Sequence, residues 1–253
     1  MIQVAEFQSN KKVFFISDLH LPLRASSHDV STHREDKVLD WLDYIKPQAQ
    51  ALFLLGDVFE FWFEYKYLIP RGFLRFQAKL LEFYKGEIPV YFFVGNSDCW
   101  SIDYLMQECG VQIFQNPKSV DICNKSFFVG HGDTISATGP YRVIRKLYDN
   151  VFLQSIARAM PADWLYGIVY HFLKKKTYPL KNNSLFVEKD RIFRYCRDKI
   201  EPFMHHDFYI FGHTHSPCIG PLNNTSNYCN IGDWISNYTY GCFDGLKLSL
   251  LKF

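Results

Sequence analysis

Nowhere in the 253 residues does an uninterrupted apolar run approach the roughly 20 residues of a membrane-spanning helix. A spanning helix is therefore not expected, although attachment to a membrane surface remains open. The opening Met1-Ile-Gln-Val-Ala-Glu6 lacks the basic region and apolar core of a secretory signal. Charge of one sign is not in excess either. The 28 Lys and Arg against 26 Asp and Glu leave a net +2, too little for the footprint of a nucleic-acid partner. Paired cysteines are missing: the seven are scattered without a C-x-x-C, and an odd number argues against a disulfide framework. They are expected to be reduced thiols of a cytosolic protein. No internal repeat or low-complexity tract is found.

What the chain does have is apolar volume. It is 48% hydrophobic and 18% aromatic, with 24 Phe and 16 Tyr, enough for one large α/β domain or a domain with an insertion. Apolar runs at 12–17, 51–55, 90–94, 111–114, 119–122 and 126–130 read as strands. They are interleaved with helical spacing at 33–45, 73–84 and 102–108. Such alternation points to a layered α/β fold. From about 141 to 203 the strand signal fades. Helical stretches at 141–160, 164–173 and 184–200 are read as a helical insertion in a single domain covering 1–253. Strands return at 208–211, 228–231, 238–243 and 246–251, the last two joined around Asp244-Gly245, a hairpin signal.

Five of these apolar runs end in the same way. Asp18-Leu-His20, Gly56-Asp57, Gly95-Asn96, Gly130-His131-Gly-Asp133 and Gly212-His-Thr-His215 each follow one directly. His213 and His215 on an extended segment would share a face but stand about 6–7 Å apart along it. A turn at Gly212, which has the conformational freedom for it, is expected to bring both imidazoles to one spot. Two imidazoles are too few to hold a catalytic ion. Asp18, His20, Asp57, Asn96, His131, His213 and His215 together could serve two ions, with one carboxylate shared. Mixed oxygen and nitrogen ligands without thiolate suit Mn²⁺, Fe²⁺ or Zn²⁺, and a close pair of ions suits phosphoryl chemistry.

The ordered set D-x-H, G-D, G-N-x-D, G-H and G-H-x-H resembles the calcineurin-like metallophosphoesterases. That resemblance implies a four-layer α-β-β-α sandwich, here with a helical cap at about 141–203. It also implies two ions, one on Asp18, His20, Asp57 and His215, the other on Asp57, Asn96, His131 and His213, with Asp57 as bridge. His131-Gly-Asp-Thr134, Tyr141-x-x-x-x-Lys146 and Tyr228-x-Asn-Ile-Gly-Asp-Trp-Ile235 narrow it further. They are similar to the UDP-2,3-diacylglucosamine hydrolase family, in particular its Bacteroidetes-type branch. The likeness covers nearly the whole chain, with the insertion matched loosely. It implies Mn²⁺-dependent cleavage of UDP-2,3-diacylglucosamine to UMP and 2,3-diacylglucosamine 1-phosphate in lipid A synthesis. The cap would hold the acyl chains, and the protein would be cytoplasmic and peripheral at the inner membrane.

Asp57, Asn96, His131 and His213 are then the expected catalytic residues. Asn96, Ser97, Arg142, Lys146, Lys175 and His213 are expected to meet the substrate. Ser97 departs from the pattern, because related enzymes carry His or Arg there. A serine cannot act as an acid near neutral pH, which suits a pyrophosphate, whose phosphate leaving group departs unprotonated. Blander explanations stand beside several assignments. Phe59, Phe61, Trp62 and Phe63 could line an acyl chamber or simply pack the core. Arg142, Arg145 and Lys146 could be an ordinary charged helix face. Lys174-Lys-Lys176, after the aromatic stretch 164–173, could dock on an anionic membrane or end a solvated helix. Two further functions remain open: a phosphodiesterase or phosphatase on a soluble nucleotide, and a metal-bound but inactive interaction module. An apolar insertion favours the lipid substrate, and a complete ligand set favours an enzyme.

Overall fold

The computed structural model describes residues 2–4, 8, 10–23, 32–98, 100, 103–136, 150–173 and 187–253. Two six-stranded sheets face each other. In the first, β2 (Lys12–Ile16), β3 (Ala49–Leu55), β4 (Val90–Phe93) and β5 (Gln112–Phe114) run parallel, and β11 (Thr239–Phe243) and β12 (Leu248–Lys252) complete the antiparallel edge. The second sheet has the order β1 (Ile2–Gln3), β6 (Lys118–Ile122), β7 (Lys125–Val129), β8 (Phe208–Phe211), β10 (Asn227–Asn230), β9 (Cys218–Pro221). The parallel strands are buried on both faces, so they read as unbroken apolar runs rather than alternating ones.

Three packed cores separate four layers. Between the sheets, Phe15 stacks on Phe53 at 4.9 Å and on Phe127 at 6.0 Å, and Phe127 and Phe208 belong to the same cluster. On the outer face of the first sheet lie α1 (Thr32–Ile45), α2 (Leu74–Lys85) and α3 (Tyr104–Cys109), which bury Trp41, Leu42, Phe76, Leu80 and Leu105. Outside the second sheet, Ile192 and Phe193 pack on Tyr209, Phe211 and Tyr228. The expected α-β-β-α layering is therefore present.

Within the expected helical stretch, α5 (Val151–Ala159) and α6 (Ala162–Leu173) follow a single turn, α4 (Asp133–Ser136). Residues 187–200 are not one helix. They form a 3-10 turn, the short α7 (Arg191–Tyr195) and a π turn at Cys196–Ile200, and it is this part that supplies the second outer layer. Burial against the sheet sets that shape, because Ile192, Phe193 and Cys196 must all point inward. Strand β9 was not legible in the sequence, since Gly220 and Pro221 interrupt its apolar pattern. It forms by antiparallel pairing with β10.

Below α7, Glu201 gathers Tyr209 Oη, His205 Nδ1 at 2.7 Å, Asn223 Nδ2 at 2.8 Å and Ser226 Oγ at 3.1 Å. Burial opposes its ionisation, yet these donors hold the carboxyl at about 2, below its ordinary 4.5. A depressed carboxyl contributes stability above its unfolded pKa and loses it as pH falls through the folded one. The melting temperature of Glu201→Gln should therefore lie below wild type at pH 7, and the gap should close between pH 4.5 and 2. A gap independent of pH would contradict this.

Candidate active site

Adjacent parallel strands β2, β3 and β4 deliver Asp18, Asp57 and Asn96 to one edge of the first sheet, and β7 and β8 deliver His131 and His213-Thr-His215 to the facing edge. Ligands commonly sit outside the carboxyl ends of such strands. The loops are tied together by their backbones. Asp18 N–H donates to Gly56 O at 3.0 Å, His20 N–H to Asp57 O at 2.9 Å, and Gly212 N–H to His131 O at 3.1 Å.

The turns at these edges are strained at the functional residues themselves. Asp18, His20, Asp57, His213 and His215 have φ of 54°, 43°, 49°, 66° and 53°, half of the ten non-glycine residues with positive φ among those described. Each such residue costs about 1–3 kcal/mol, and this kind of strain concentrates where a site requires it. With a left-handed backbone at both His213 and His215, the segment after β8 is no longer extended, and both imidazoles lie at the site. Gly212 does not supply that freedom, contrary to expectation. It is glycine because a Cβ there would stand 2.0 Å from Ser17 Oγ and 2.5 Å from Asp18 Oδ2.

The side chains form one cluster. Asp18 Oδ2 accepts from Ser17 Oγ at 2.6 Å and His213 N–H at 2.8 Å, which leaves Oδ1 aimed at the imidazoles. His215 Nε2 lies 3.3 Å and His20 Nε2 3.7 Å from that oxygen. Asp57 turns Oδ2 toward His20 Nε2 and Oδ1 toward His131 Nε2, both at 3.5 Å. The His213 ring stands 5.0 Å from that of His131. Two groups are spaced to hold an ion: Asp18, His20 and His215, and Asp18, Asp57 and His131. Asp18 Oδ1, Asn96 Oδ1 and His131 Nε2 are buried with no hydrogen-bond partner. Atoms each about 2.1 Å from a common ion are separated by about 3–3.5 Å, so this donor set fits divalent ions.

Electrostatics agree with the geometry. Burial opposes ionisation of Asp18, yet His131 and His215 hold its carboxyl well below the ordinary range, and His131 and His20 do the same for buried Asp57. His131 is pushed up to about 9: burial acts against this, but Asp57 and Asp18 outweigh it. Burial and His131 lower His213, while Asp18 and Asp233 raise His215 against its burial.

Comparison with known proteins places this edge in context. The calcineurin-like phosphoesterase family matches residues 11–217, which include all seven candidate ligands. The chain belongs to that family. It is a hydrolase of the metallophosphoesterase fold. A UDP-2,3-diacylglucosamine hydrolase of Porphyromonas gingivalis is 31% identical over 94% of this chain and 96% of its own. A protein of the same name from Vibrio atlanticus is 28% identical over 91% of each. Among solved structures, the Escherichia coli phosphoesterase Yfce is 18% identical with a TM-score of 0.45, covering 95% of this chain and 92% of that one.

Phosphoesterase ligands need outer partners, and three carboxylates that the motif reading did not assign to the site act there or next to it. Asp233 Oδ2 meets His215 Nδ1 at 3.4 Å while its other oxygen takes the N–H groups of Ile235, Ser236 and Asn237. These contacts hold the carboxyl at about 2 against its burial. Asp98 accepts from Gly95 N–H and Val58 N–H, both at 2.7 Å, and so binds the Asp57 turn to the Asn96 turn. Burial and the Asp57 charge raise it to about 7. Asp190 is the third. His131 Nδ1–H donates to Leu55 O at 2.8 Å, which leaves Nε2 free to coordinate. Asp98 and Asp233 were visible inside G-N-S-D and I-G-D-W. Asp190 carried no motif at all.

Ser97 lies beside Asp57, with its N–H 2.8 Å from Oδ1 and its Oγ donating to Oδ2 at 3.1 Å. Phe59, Trp62 and Phe63 are core residues, whereas Phe61 meets Tyr166 of α6 edge-on at 5.5 Å. Arg142, Lys146 and Lys175 fall outside the described residues, as do Arg145, Lys174 and Lys176. Tyr166 Oη donates to Phe63 O at 2.6 Å, seating α6 beside a pocket of about 370 Å³. Leu23, Leu68, Ile69, Pro70, Tyr166 and Tyr170 line this pocket.

Proposed function

We propose that the chain hydrolyses the pyrophosphate of UDP-2,3-diacylglucosamine, releasing UMP and 2,3-diacylglucosamine 1-phosphate. The observation that carries this reading is a phosphoesterase ligand set in the same molecule as an apolar pocket that α6 walls. Asp18, His20, Asp57 and His215 would hold one divalent ion and Asp57, Asn96, His131 and His213 the other, with Mn²⁺ the first choice and Fe²⁺ or Zn²⁺ the alternatives. Asp57 suits the bridge because its two oxygens face different histidines. When bound, such ions supply Lewis acidity and an activated water. The chain's own part is to hold the imidazoles in their coordinating tautomer through Leu55 O and Asp233, and to orient Asp57 through Ser97. Residues 141–203 would include the cap, and α5 and α6 are the described helices that fit that role. No described helix is long and apolar enough to cross a membrane. Trp164, Ile168 and Phe172, at i, i+4 and i+8 on α6, are exposed, and such a stripe followed in sequence by Lys174-Lys-Lys176 suits peripheral contact with the cytoplasmic face of an anionic membrane.

The test is an assay of Mn²⁺-loaded protein on UDP-diacylglucosamine and on a chromogenic phosphodiester, following UMP. Release of UMP from the lipid substrate is expected. Turnover of the phosphodiester alone would favour a soluble-nucleotide enzyme, and turnover of neither an inactive module.

Ser97 gives a finer check. A phosphate leaving group has a pKa of about 6–7 and departs without an acid. Loss of the Ser97 hydroxyl removes one hydrogen bond to Asp57, worth about 1 kcal/mol. Ser97→Ala should therefore slow UDP-lipid hydrolysis less than about tenfold, a factor equivalent to about 1.4 kcal/mol. Ser97→His should raise activity on alkyl phosphodiesters, whose alkoxide gains about 10²–10⁴-fold from an acid. A hundredfold loss in Ser97→Ala would mean that the hydroxyl contacts the transition state.

A further inference from the structure

Where the chain re-enters the sandwich after α6, it passes through a buried carboxylate that belongs to none of the ligand motifs. Asp190 is 3% exposed and stands immediately before α7. Its Oδ1 accepts from Ile192 N–H at 2.9 Å and caps that helix. Its Oδ2 accepts from Tyr228 Oη at 2.9 Å, Asn230 Nδ2 at 3.1 Å and Thr214 Oγ1 at 3.2 Å. Thr214 is the residue between His213 and His215. Asn230 Nδ2 also donates to Gly212 O and to Thr214 Oγ1, both at 2.8 Å, and Asn230 Oδ1 accepts from Gly232 N–H at 3.0 Å, directly ahead of Asp233. One carboxylate is thus linked to the chain before and within the histidine pair, and to the turn that carries its outer partner.

Helix capping does not account for this choice of residue. Ser or Asn would cap α7 as well, for about 1 kcal/mol, without the desolvation of a buried charge, which costs several kcal/mol. A carboxylate is distinguished by offering acceptors alone, and here all four donors converge on it. Charge-assisted hydrogen bonds of this kind are the strong ones. They would hold a loop whose two histidines sit in an unfavourable left-handed backbone.

We propose that Asp190 is a positioning residue for the loop 212–215: by fixing Thr214 and, through Asn230, Gly212, it sets the directions of the His213 and His215 imidazoles. It touches neither substrate nor ion. The inference rests on reading those histidines as ligands.

The experiment uses the full chain stripped of metal and titrated with Mn²⁺ and, separately, Zn²⁺, followed by calorimetry and by the metal-induced rise in melting temperature. His215→Ala is the control. Replacing an outer partner of a ligand lowers metal affinity by about 10–100-fold. Asp190→Asn, which turns one acceptor into a donor facing Asn230, should fall in that range. Thr214→Val, which deletes the bond from Thr214 Oγ1 to the carboxylate and the one it accepts from Asn230, should weaken binding by about tenfold. A purely structural role would lower the melting temperature of stripped and loaded protein alike and leave the titration midpoint unmoved, and that result overturns the proposal. If Asp190→Asn fails to fold, Thr214→Val decides, because its side chain lies on the partly exposed loop. Wild type and His215→Ala binding metal equally well would remove the ligand reading itself, and this inference with it.

Discussion

Asp57→Ala is expected to lose at least one ion per chain and nearly all turnover while the domain stays folded. The loss of metal follows from position. Asp57 Oδ2 and Oδ1 face His20 and His131 at the same 3.5 Å, so its removal takes a ligand from both groups of imidazoles. The loss of rate follows from magnitude. Lewis-acid stabilisation is worth several kcal/mol, and about 4 kcal/mol corresponds to about 10³-fold. Folding should survive in the metal-free state, because the lost attraction to His131 and His20 is offset by relief of the carboxylate's desolvation and of its repulsion with Asp18. Alanine at φ 49° keeps a strain of about 1–2 kcal/mol, but aspartate carries it too. Elemental analysis and melting of stripped and loaded protein check both halves. Two ions retained per chain would sink the assignment of Asp57 as the bridge.

The second large effect concerns α6. Replacing residues 164–176 with a short Gly/Ser linker should leave metal affinity intact and reduce turnover of the acylated substrate by about a hundredfold or more, equivalent to about 2.7 kcal/mol. Among the described residues, α6 meets the sandwich through the hydrogen bond from Tyr166 Oη to Phe63 O and the edge contact with Phe61, and it contributes to none of the three packed cores, so the four layers should fold without it. It does supply Tyr166, Gly167 and Tyr170 to the apolar pocket. Each methylene of an acyl chain buried there contributes about 0.8 kcal/mol, so a few lost methylenes suffice for the expected effect. Unchanged turnover of the lipid substrate would return α6 to a structural role. The same variant assayed on a short, unacylated UDP-sugar separates a lost chamber from a damaged centre, since only the latter slows both.

Much of the site could be read before the fold. Parallel strands buried on both faces must be continuous apolar runs, and a site outside their carboxyl ends must place its polar residues just after each run. That is why D-x-H, G-D, G-N, G-H and G-H-x-H stood out as strand ends, and why β2, β3, β4, β7 and β8 were found near their true bounds. The two-sheet layering followed from the resemblance those motifs carry, not from periodicity. Where burial and pattern part, the reading failed. Strand β9 contains Gly220 and Pro221 and exists because β10 offers it a partner. Residues 187–200 have helical spacing, yet they break into three kinds of turn to seat Ile192, Phe193 and Cys196 on a sheet.

Local chemistry thus determined the candidate ligand types, their order and the strands that bear them, because spacing and residue type are properties of the chain alone. Distances between candidate ligands, the left-handed backbones at His213 and His215, and the close approach that makes Gly212 a glycine came from the fold. So did the burial of Phe59, Trp62 and Phe63. Asp190, Asp98 and Asp233 became partners of the site only when segments distant in sequence met, Asp190 across 24 residues to Thr214 and Asp98 across 40 to Val58. A carboxylate's role depends on which donors surround it once water is excluded, and that is a property of packing between elements rather than of any one of them.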